Sequence, residues 1–406
     1  MTYNFDEIID RRHTNSENVD GWRPYIFHCG PERVFPYKDE EFIRMWVADM
    51  EFAVAPEIRQ AIIDRVNRQI LGYSIVSDGG YYEALRTWCE SRYGWSFPKE
   101  QLTFSPGVIP ALYQIVEDLA KPTGGKVLTV TPAYGFFLHA CEYNGVELVT
   151  SPLRKEHGRF EVDWADLEKK AADPAVKVLM LCNPHNPTGR IWTAEELRRM
   201  AEIIEKNRLW VVSDEIHCDL LRTGLRHTPM GKIMPDYERL ITCMSASKTF
   251  NLAGLLHSNI IIRSDEERAR FQARDKNIGA VNPLSIAVHK AAYEQGGAWL
   301  EQMKAYVDGN LALVDKFLRE NIPGAKFTIP EATYFAWVDL GEVLPQVADL
   351  PDFFANKAGV LLEGGDSLFV GNAKGYIRLN LAMPRATVRT GLERIAQAIR
   401  AEQAKG

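Results

Sequence analysis

No segment of this chain gathers basic residues into a stripe, and its formal net charge is −6. A polyanion, whether nucleic acid or an anionic membrane surface, is therefore not an expected partner. No apolar run approaches the ~20 residues that a membrane-spanning helix needs. Residues 1–20 are polar and acidic, with no apolar stretch resembling a secretory leader. Cysteine is sparse: six residues, at 29, 89, 141, 182, 218 and 243, without a C-x-x-C pair or zinc-like spacing. A disulfide scaffold and a zinc module are thus excluded. Four of the six lie in or beside apolar runs and read as small core residues in a reducing compartment, so a cytoplasmic location is expected. Repeats, low-complexity tracts and long linkers are also missing. What remains is the ordinary composition of a soluble globular chain: 46% hydrophobic, 25% charged and 10% aromatic over 406 residues. That length exceeds one simple core and predicts two domains.

The pattern along the chain divides it. Residues 1–50 read as an irregular arm rich in Pro, Gly and aromatics. Apolar residues at helical spacing (Ile58, Ile62, Val66, Ile70) predict a helix over 56–71, and 86–92 continues as another. Short apolar runs then recur at 126–130, 146–150, 176–181, 209–212, 240–244 and 259–262. Several are apolar throughout, as strands buried on both faces are. Helical stretches separate many of them, and Thr193-Ala194-Glu195-Glu196 is a capping box. This predicts an α/β large domain with a mostly parallel sheet, over 51–285. After about Gly279 longer helices follow (284–294, 299–320), then strands at 334–338, 359–362 and 376–380 and a closing helix over 386–402. A smaller α+β domain over 286–406, packed with the N-terminal arm, is the expectation.

Open α/β sheets bind ligands outside the carboxyl ends of their strands, and three strand ends here carry unusual polar groups. The first is Asn183-Pro184-His185-Asn186-Pro187-Thr188-Gly189, directly after Val178-Leu179-Met180-Leu181. A tight turn explains the prolines but not two amides beside a buried strand. The second is Ser213-Asp214-Glu215-Ile216-His217, where Asp214 suits either a helix cap or a cationic ring nitrogen. His217-Cys218-Asp219 lacks further ligands at useful spacing, so no metal site is read there. The third is Lys248 in Ser245-Ala246-Ser247-Lys248-Thr249, after Leu240-Ile241-Thr242-Cys243-Met244. An amine so placed is either a snorkelling surface lysine or a desolvated group able to lose its proton and attack a carbonyl. Gly107-Val108-Ile109 precedes an apolar helical pattern and puts free N–H groups at a helix start, a ready anion site. Tyr134, after the strand at 126–130, either stacks on a flat ligand or packs in the core. Arg378, inside the apolar strand Tyr376-Ile377-Arg378-Leu379, either makes a structural ion pair or clamps a carboxylate.

The ordered set Tyr134, Asn186-Pro187-Thr188-Gly189, Asp214 and Ser245-x-Ser247-Lys248 resembles the class I/II aminotransferase superfamily, pyridoxal-phosphate enzymes of fold type I. Within it, Trp46-Val47-Ala48-Asp49-Met50-Glu51-Phe52, Ser213-Asp214-Glu215-Ile216-His217-Cys218-Asp219-Leu220 and Lys248-Thr249-Phe250-Asn251-Leu252-Ala253-Gly254-Leu255 resemble the MalY/PatB group of cystathionine β-lyases. The resemblance implies that Lys248 holds pyridoxal 5′-phosphate covalently and acts as the catalytic base. It implies that Asp214 pairs with the pyridine nitrogen, Asn186 bonds the phenolic oxygen and Tyr134 stacks on the ring. Phosphate would lie on the backbone of Gly107, Val108 and Ile109, with Ser245 and Ser247. Arg378 would bind the substrate carboxylate, with Ala48 and Asp49 beside it. Tyr73 would reach the phosphate of a neighbouring subunit, implying a homodimer with shared sites. Two departures stand out. Leu256 occupies the position of the family's usual phosphate-binding arginine. His217 replaces a usual tyrosine, and its imidazole is expected to donate to the phenolic oxygen instead. The implied activity is C–S β-elimination from cystathionine or related S-substituted cysteines, giving thiol, pyruvate and ammonia. The alternative is amino transfer between an amino acid and a 2-oxo acid. A cofactor-retaining regulatory protein has no sequence feature behind it.

Overall fold

A computed structural model describes residues 2–77, 79–156, 158–274 and 281–405. Gly279, where the sequence pattern changes, lies outside the described residues. The apolar runs form one seven-stranded sheet: β1 (Leu102–Ser105), β2 (Lys126–Thr131), β3 (Leu148–Pro152), β4 (Val176–Cys182), β5 (Trp210–Asp214), β6 (Leu240–Met244) and β7 (Ser258–Ile262). Their spatial order is β1-β7-β6-β5-β4-β2-β3. β7 runs antiparallel to both neighbours, and the other pairs are parallel. Alternate residues of the buried strands serve two cores, as the two-residue strand period requires. Val178 and Met180 of β4 pack with Leu112, Ile115 and Val116 of helix α1 (Val108–Leu119). Leu179 and Leu181 pack on the other face with Leu197, Met200 and Ile204 of helix α2 (Ala194–Lys206). The capping box of α2 forms: the Thr193 hydroxyl accepts from the Glu196 N–H at 3.1 Å, and the Glu196 carboxylate accepts from the Thr193 N–H at 2.8 Å.

The C-terminal third carries a three-stranded antiparallel sheet of β8 (Phe335–Asp339), β9 (Glu363–Gly364) and β10 (Tyr376–Asn380), with β10 in the middle. The N-terminal arm packs against this part of the chain. Ile43–Arg44 pairs in parallel with Val360–Leu361, and Trp22, Phe35, Phe42 and Trp46 cluster with Ala355 and Leu361. Helices Pro283–Gln295, Gly297–Asn321 and Arg385–Gln403 match the expected ones within two residues.

Three local differences have physical causes. The helix expected over 56–71 is Pro56–Val66; the chain turns at Gln69, whose φ is 65°, and Ile70 points outward at 75% exposure. Ile70 fits the helical period without belonging to the core. The helix expected from 86 begins at Gly80, and its buried face includes Tyr81, Tyr82 and Leu85. It stops at Gly94, whose φ of 62° is the left-handed cap geometry that glycine adopts without strain. Strand β1 was hidden from the pattern because only four residues of alternating type, Leu102-Thr103-Phe104-Ser105, form it.

Candidate active site

β4, β5 and β6 lie side by side in register, Cys182 opposite Asp214 and Asp214 opposite Cys243. Their carboxyl ends therefore emerge together, and the three polar strand ends converge. A cavity of about 250 Å³ lies there, lined by Asn186, Asp214, His217, Ser247, Lys248, Tyr134, Arg378, Ala48 and the Gly107–Ile109 segment, among others.

Lys248 sits on a one-turn helix, α3 (Ala246–Thr249), immediately after β6. Ser245 caps it: its hydroxyl accepts from the Ser247 N–H at 3.1 Å and donates to the His257 carbonyl at 2.8 Å. The Lys248 amine donates to the Ala48 carbonyl at 2.8 Å. Burial lowers its pKa from the usual lysine range, and the nearby Asp49 charge opposes that fall. Next to it, the Thr249 hydroxyl donates to buried Asp219 at 3.0 Å, which also accepts from Trp88 Nε1 at 3.1 Å and from the Tyr93 hydroxyl. Asp219 thus anchors the lysine turn.

The segment that carries this carbonyl is held from two sides. Asn251 donates to the Met50 carbonyl at 2.9 Å and accepts from the Met50 N–H at 3.0 Å. Asn380 donates to the carbonyls of Val47 at 2.8 Å and Asp49 at 2.5 Å. Asn251 also occupies the left-handed region, with φ 59°. Asn251→Ala removes the clamp and strains the backbone, so a destabilisation of about 2–4 kcal/mol is expected, read from the denaturant midpoint. An unchanged midpoint contradicts the clamp.

Asp214 is buried, and burial pushes its pKa up to about 7, against the pull of a backbone hydrogen bond and the Lys248 charge. Its carboxylate accepts from the Ile216 N–H at 3.2 Å. Asn186 Oδ1 accepts from Arg378 Nη1 at 3.1 Å, which leaves the amide nitrogen free to donate. His217 Nδ1 is buried without a partner, and burial lowers the ring's pKa to about 3, so the ring is neutral. Burial raises the pKa of Tyr134, and Tyr25 of the N-terminal arm adds to the rise. Arg378 is 2% exposed, ion-paired to Glu363, and lies over the Phe335 ring at 4.0 Å. At the start of α1, Gly107 supplies no side-chain cap, and the first N–H groups of a helix have no internal acceptor.

The aminotransferase class I and II family matches residues 40–395. This chain belongs to that family. Cystathionine beta-lyase PatB of Bacillus subtilis (strain 168) is 37% identical over 358 residues, which span 87% of this chain and 92% of that one. The PLP-bound C-S lyase from Staphylococcus hominis is 44% identical, with a TM-score of 0.91 over 98% of both chains. Cystalysin from Treponema denticola, whose structure contains a pyridoxal 5′-phosphate cofactor, is 30% identical with a TM-score of 0.88, covering 99% of this chain and 100% of that one. Within the class I and II aminotransferases, the chain falls in the MalY/PatB-like branch.

Not every residue expected at this aminotransferase-family site lines the cavity. The hydroxyl of Ser245 is spent on capping. Asp49 is ion-paired to Arg11, which also holds Glu51 at 2.7 Å. Tyr73 is fully exposed at 101%. Leu256 has φ 48° and is 65% exposed, and among the described residues Lys248 and Arg378 are the only Lys or Arg side chains lining the cavity. The sequence reading missed Asn251, Asn380, Tyr25 and Glu363. Asn251 lay inside a motif already quoted, but its role depends on a segment 201 residues away.

Proposed function

We propose that this chain is a pyridoxal-phosphate-dependent C–S β-lyase acting on cystathionine or related S-substituted cysteines, with thiol, pyruvate and ammonia as products. The observation that carries the reading is the meeting of a desolvated amine, Lys248, and a buried carboxylate, Asp214, in one cavity. The likeness to PatB and to the staphylococcal C–S lyase supports the lyase outcome.

The residues present fit the cofactor. Asp214 is a buried carboxylate suited to a cationic ring nitrogen, and the orphaned Nδ1 of His217 and the free amide nitrogen of Asn186 suit the phenolic oxygen. The uncapped start of α1, with Ser247, suits the phosphate, and Ser245 supports it by fixing the Ser247 turn. Tyr134, on the cavity wall, would pack against the ring. When bound, the pyridine ring supplies an electron sink for negative charge at the substrate Cα. Lys248 would hold the cofactor covalently, and its desolvated amine is the base placed to take the proton from the substrate Cα. Asp214 would hold a proton at the ring nitrogen. Arg378 binds the α-carboxylate, and its fixed fork orients the Cα–H bond toward Lys248. The reading places the cofactor in the unit spanning 51–285, with 1–50 and 286–406 closing over it. Tyr73, on the surface of one copy, reaches the phosphate of the other in a homodimer of the cytoplasm.

Incubation with L-cystathionine or S-methyl-L-cysteine, without any 2-oxo acid, is expected to release pyruvate and thiol in equal amounts. Absence of both, with amino transfer appearing on addition of a 2-oxo acid, overturns the lyase reading in favour of an aminotransferase.

Cofactor removal exposes the charge on Asp214. Folded, this carboxyl holds its proton up to about pH 7, whereas in the unfolded chain it ionises near its ordinary value of 3.8. The folded state therefore binds more protons between those values, and stability falls as pH rises through them. Cofactor-free protein is expected to lose roughly 3–5 kcal/mol from this group between about pH 4 and 8. Asp214→Asn removes that slope. Parallel pH-dependent melts of the two cofactor-free proteins check it; identical slopes contradict the assignment.

A further inference from the structure

Arg378 does not wait for its substrate with an unpaired charge. On β9, Glu363 stands directly opposite Arg378 of β10, and the two form an ion pair with both side chains at 3% exposure or less. The guanidinium also donates to Asn186, while its Nε has no partner. Phe335 lies against one face at 4.0 Å, and Phe369 is 5.2 Å away. The arginine is thus fixed in position and already neutralised. A substrate carboxylate arriving at the same guanidinium makes two carboxylates around one cation in a buried site. Two carboxylates sharing such a site do not both stay ionised, and a proton goes to one of them.

We propose that Glu363 is a positioning residue and built-in counter-ion for Arg378, so that a substrate carboxylate enters the cavity together with one proton from solvent, which Glu363 takes up. The proposal rests on Arg378 being the carboxylate clamp. The other titratable groups whose charges reach Glu363 are Lys248 on α3, Tyr25 on the N-terminal arm, Tyr134 after β2 and Tyr334 before β8. Lys248 is committed to the cofactor in the holoenzyme. Burial raises the pKa of all three tyrosines, so they stay protonated at neutral pH. Burial also raises the pKa of Glu363, while Arg378 holds it down. Removing Arg378's freedom to pair with Glu363 alone is therefore what shifts the proton.

The test uses the holoenzyme and propionate, a carboxylate with neither an amine nor a leaving group, as a competitive inhibitor of S-methyl-L-cysteine cleavage. The inhibition constant is expected to rise about tenfold per pH unit above the titration of Glu363. Calorimetric titration in two buffers of different ionisation enthalpy is expected to show uptake of about one proton per propionate, with no change in the cofactor's visible absorption. In Glu363→Gln the uptake disappears, the inhibition constant becomes flat with pH, and KM falls at high pH with a much smaller change in kcat. No proton uptake by the wild-type enzyme, uptake accompanied by a shift of the cofactor band, or undiminished uptake in Glu363→Gln overturns the proposal. The wild-type count and spectrum decide the matter even if Glu363→Gln fails to fold. Arg378→Lys separates the two layers. If it weakens propionate while wild-type uptake is absent, the counter-ion role alone fails; if it leaves propionate binding unchanged, the clamp itself fails.

Discussion

Lys248→Ala is expected to lower kcat/KM for β-elimination by at least about 10³-fold, since a positioned general base alone is commonly responsible for 10²–10⁴-fold. The variant also loses the covalent hold on the cofactor, so pyridoxal phosphate should leave on dialysis. The fold is expected to survive. Ser245 still caps α3, Thr249 still bonds Asp219, and Asn251 and Asn380 still hold the segment that carries Ala48. Only the Ala48 carbonyl loses a donor. Coupled measurement of pyruvate release, cofactor absorbance after dialysis and melting temperature separates these effects. Activity within tenfold of wild type, with the cofactor still covalently retained, contradicts the role given to Lys248.

Arg378→Ala is the second large effect, and it acts on stability and binding together. Truncation leaves Glu363 buried beside no cation, and breaking a buried pair from one side is typically destabilising by about 3–5 kcal/mol. KM for S-substituted cysteines is expected to rise about hundredfold or more, because the carboxylate loses its charge-assisted anchor. Adding Glu363→Gln should recover much of the stability, since no unpaired charge remains, but none of the KM. That non-additivity is the signature of a shared pair. Denaturant unfolding and steady-state kinetics of the single and double variants provide the cycle. Additive stability changes contradict the pairing, and an unchanged KM in Arg378→Ala contradicts the clamp.

The main frame of the site was legible because each polar group interrupts an apolar strand end. Asn186 follows Val178-Leu179-Met180-Leu181, Asp214 ends Trp210-Val211-Val212, and Lys248 follows Leu240–Met244. A parallel sheet carries such residues to one edge without further information. Glu363 was not legible. It lies in Leu362-Glu363-Gly364-Gly365, just past the strand expected over 359–362, and its burial follows only from β9 pairing with Arg378 on β10. Arg378 carried two readings in the sequence, ion pair or carboxylate clamp, and the geometry supplies the first while leaving the guanidinium on the cavity wall. Asn251 and Asn380 escaped notice because amides act through contacts 201 and 333 residues away. Ile70 misled for the converse reason: helical spacing does not distinguish a core residue from an exposed one, and here the chain had already turned.

The central claim is that Lys248 is the amine that carries pyridoxal phosphate. Borohydride reduction of the holoenzyme fixes the cofactor to whichever amine holds it, and mass spectrometry of the digested protein locates it. The account predicts the added mass on the peptide containing Ser247-Lys248-Thr249 and its loss in Lys248→Ala. Added mass on any other lysine, or none on a protein that still eliminates thiol, would contradict it.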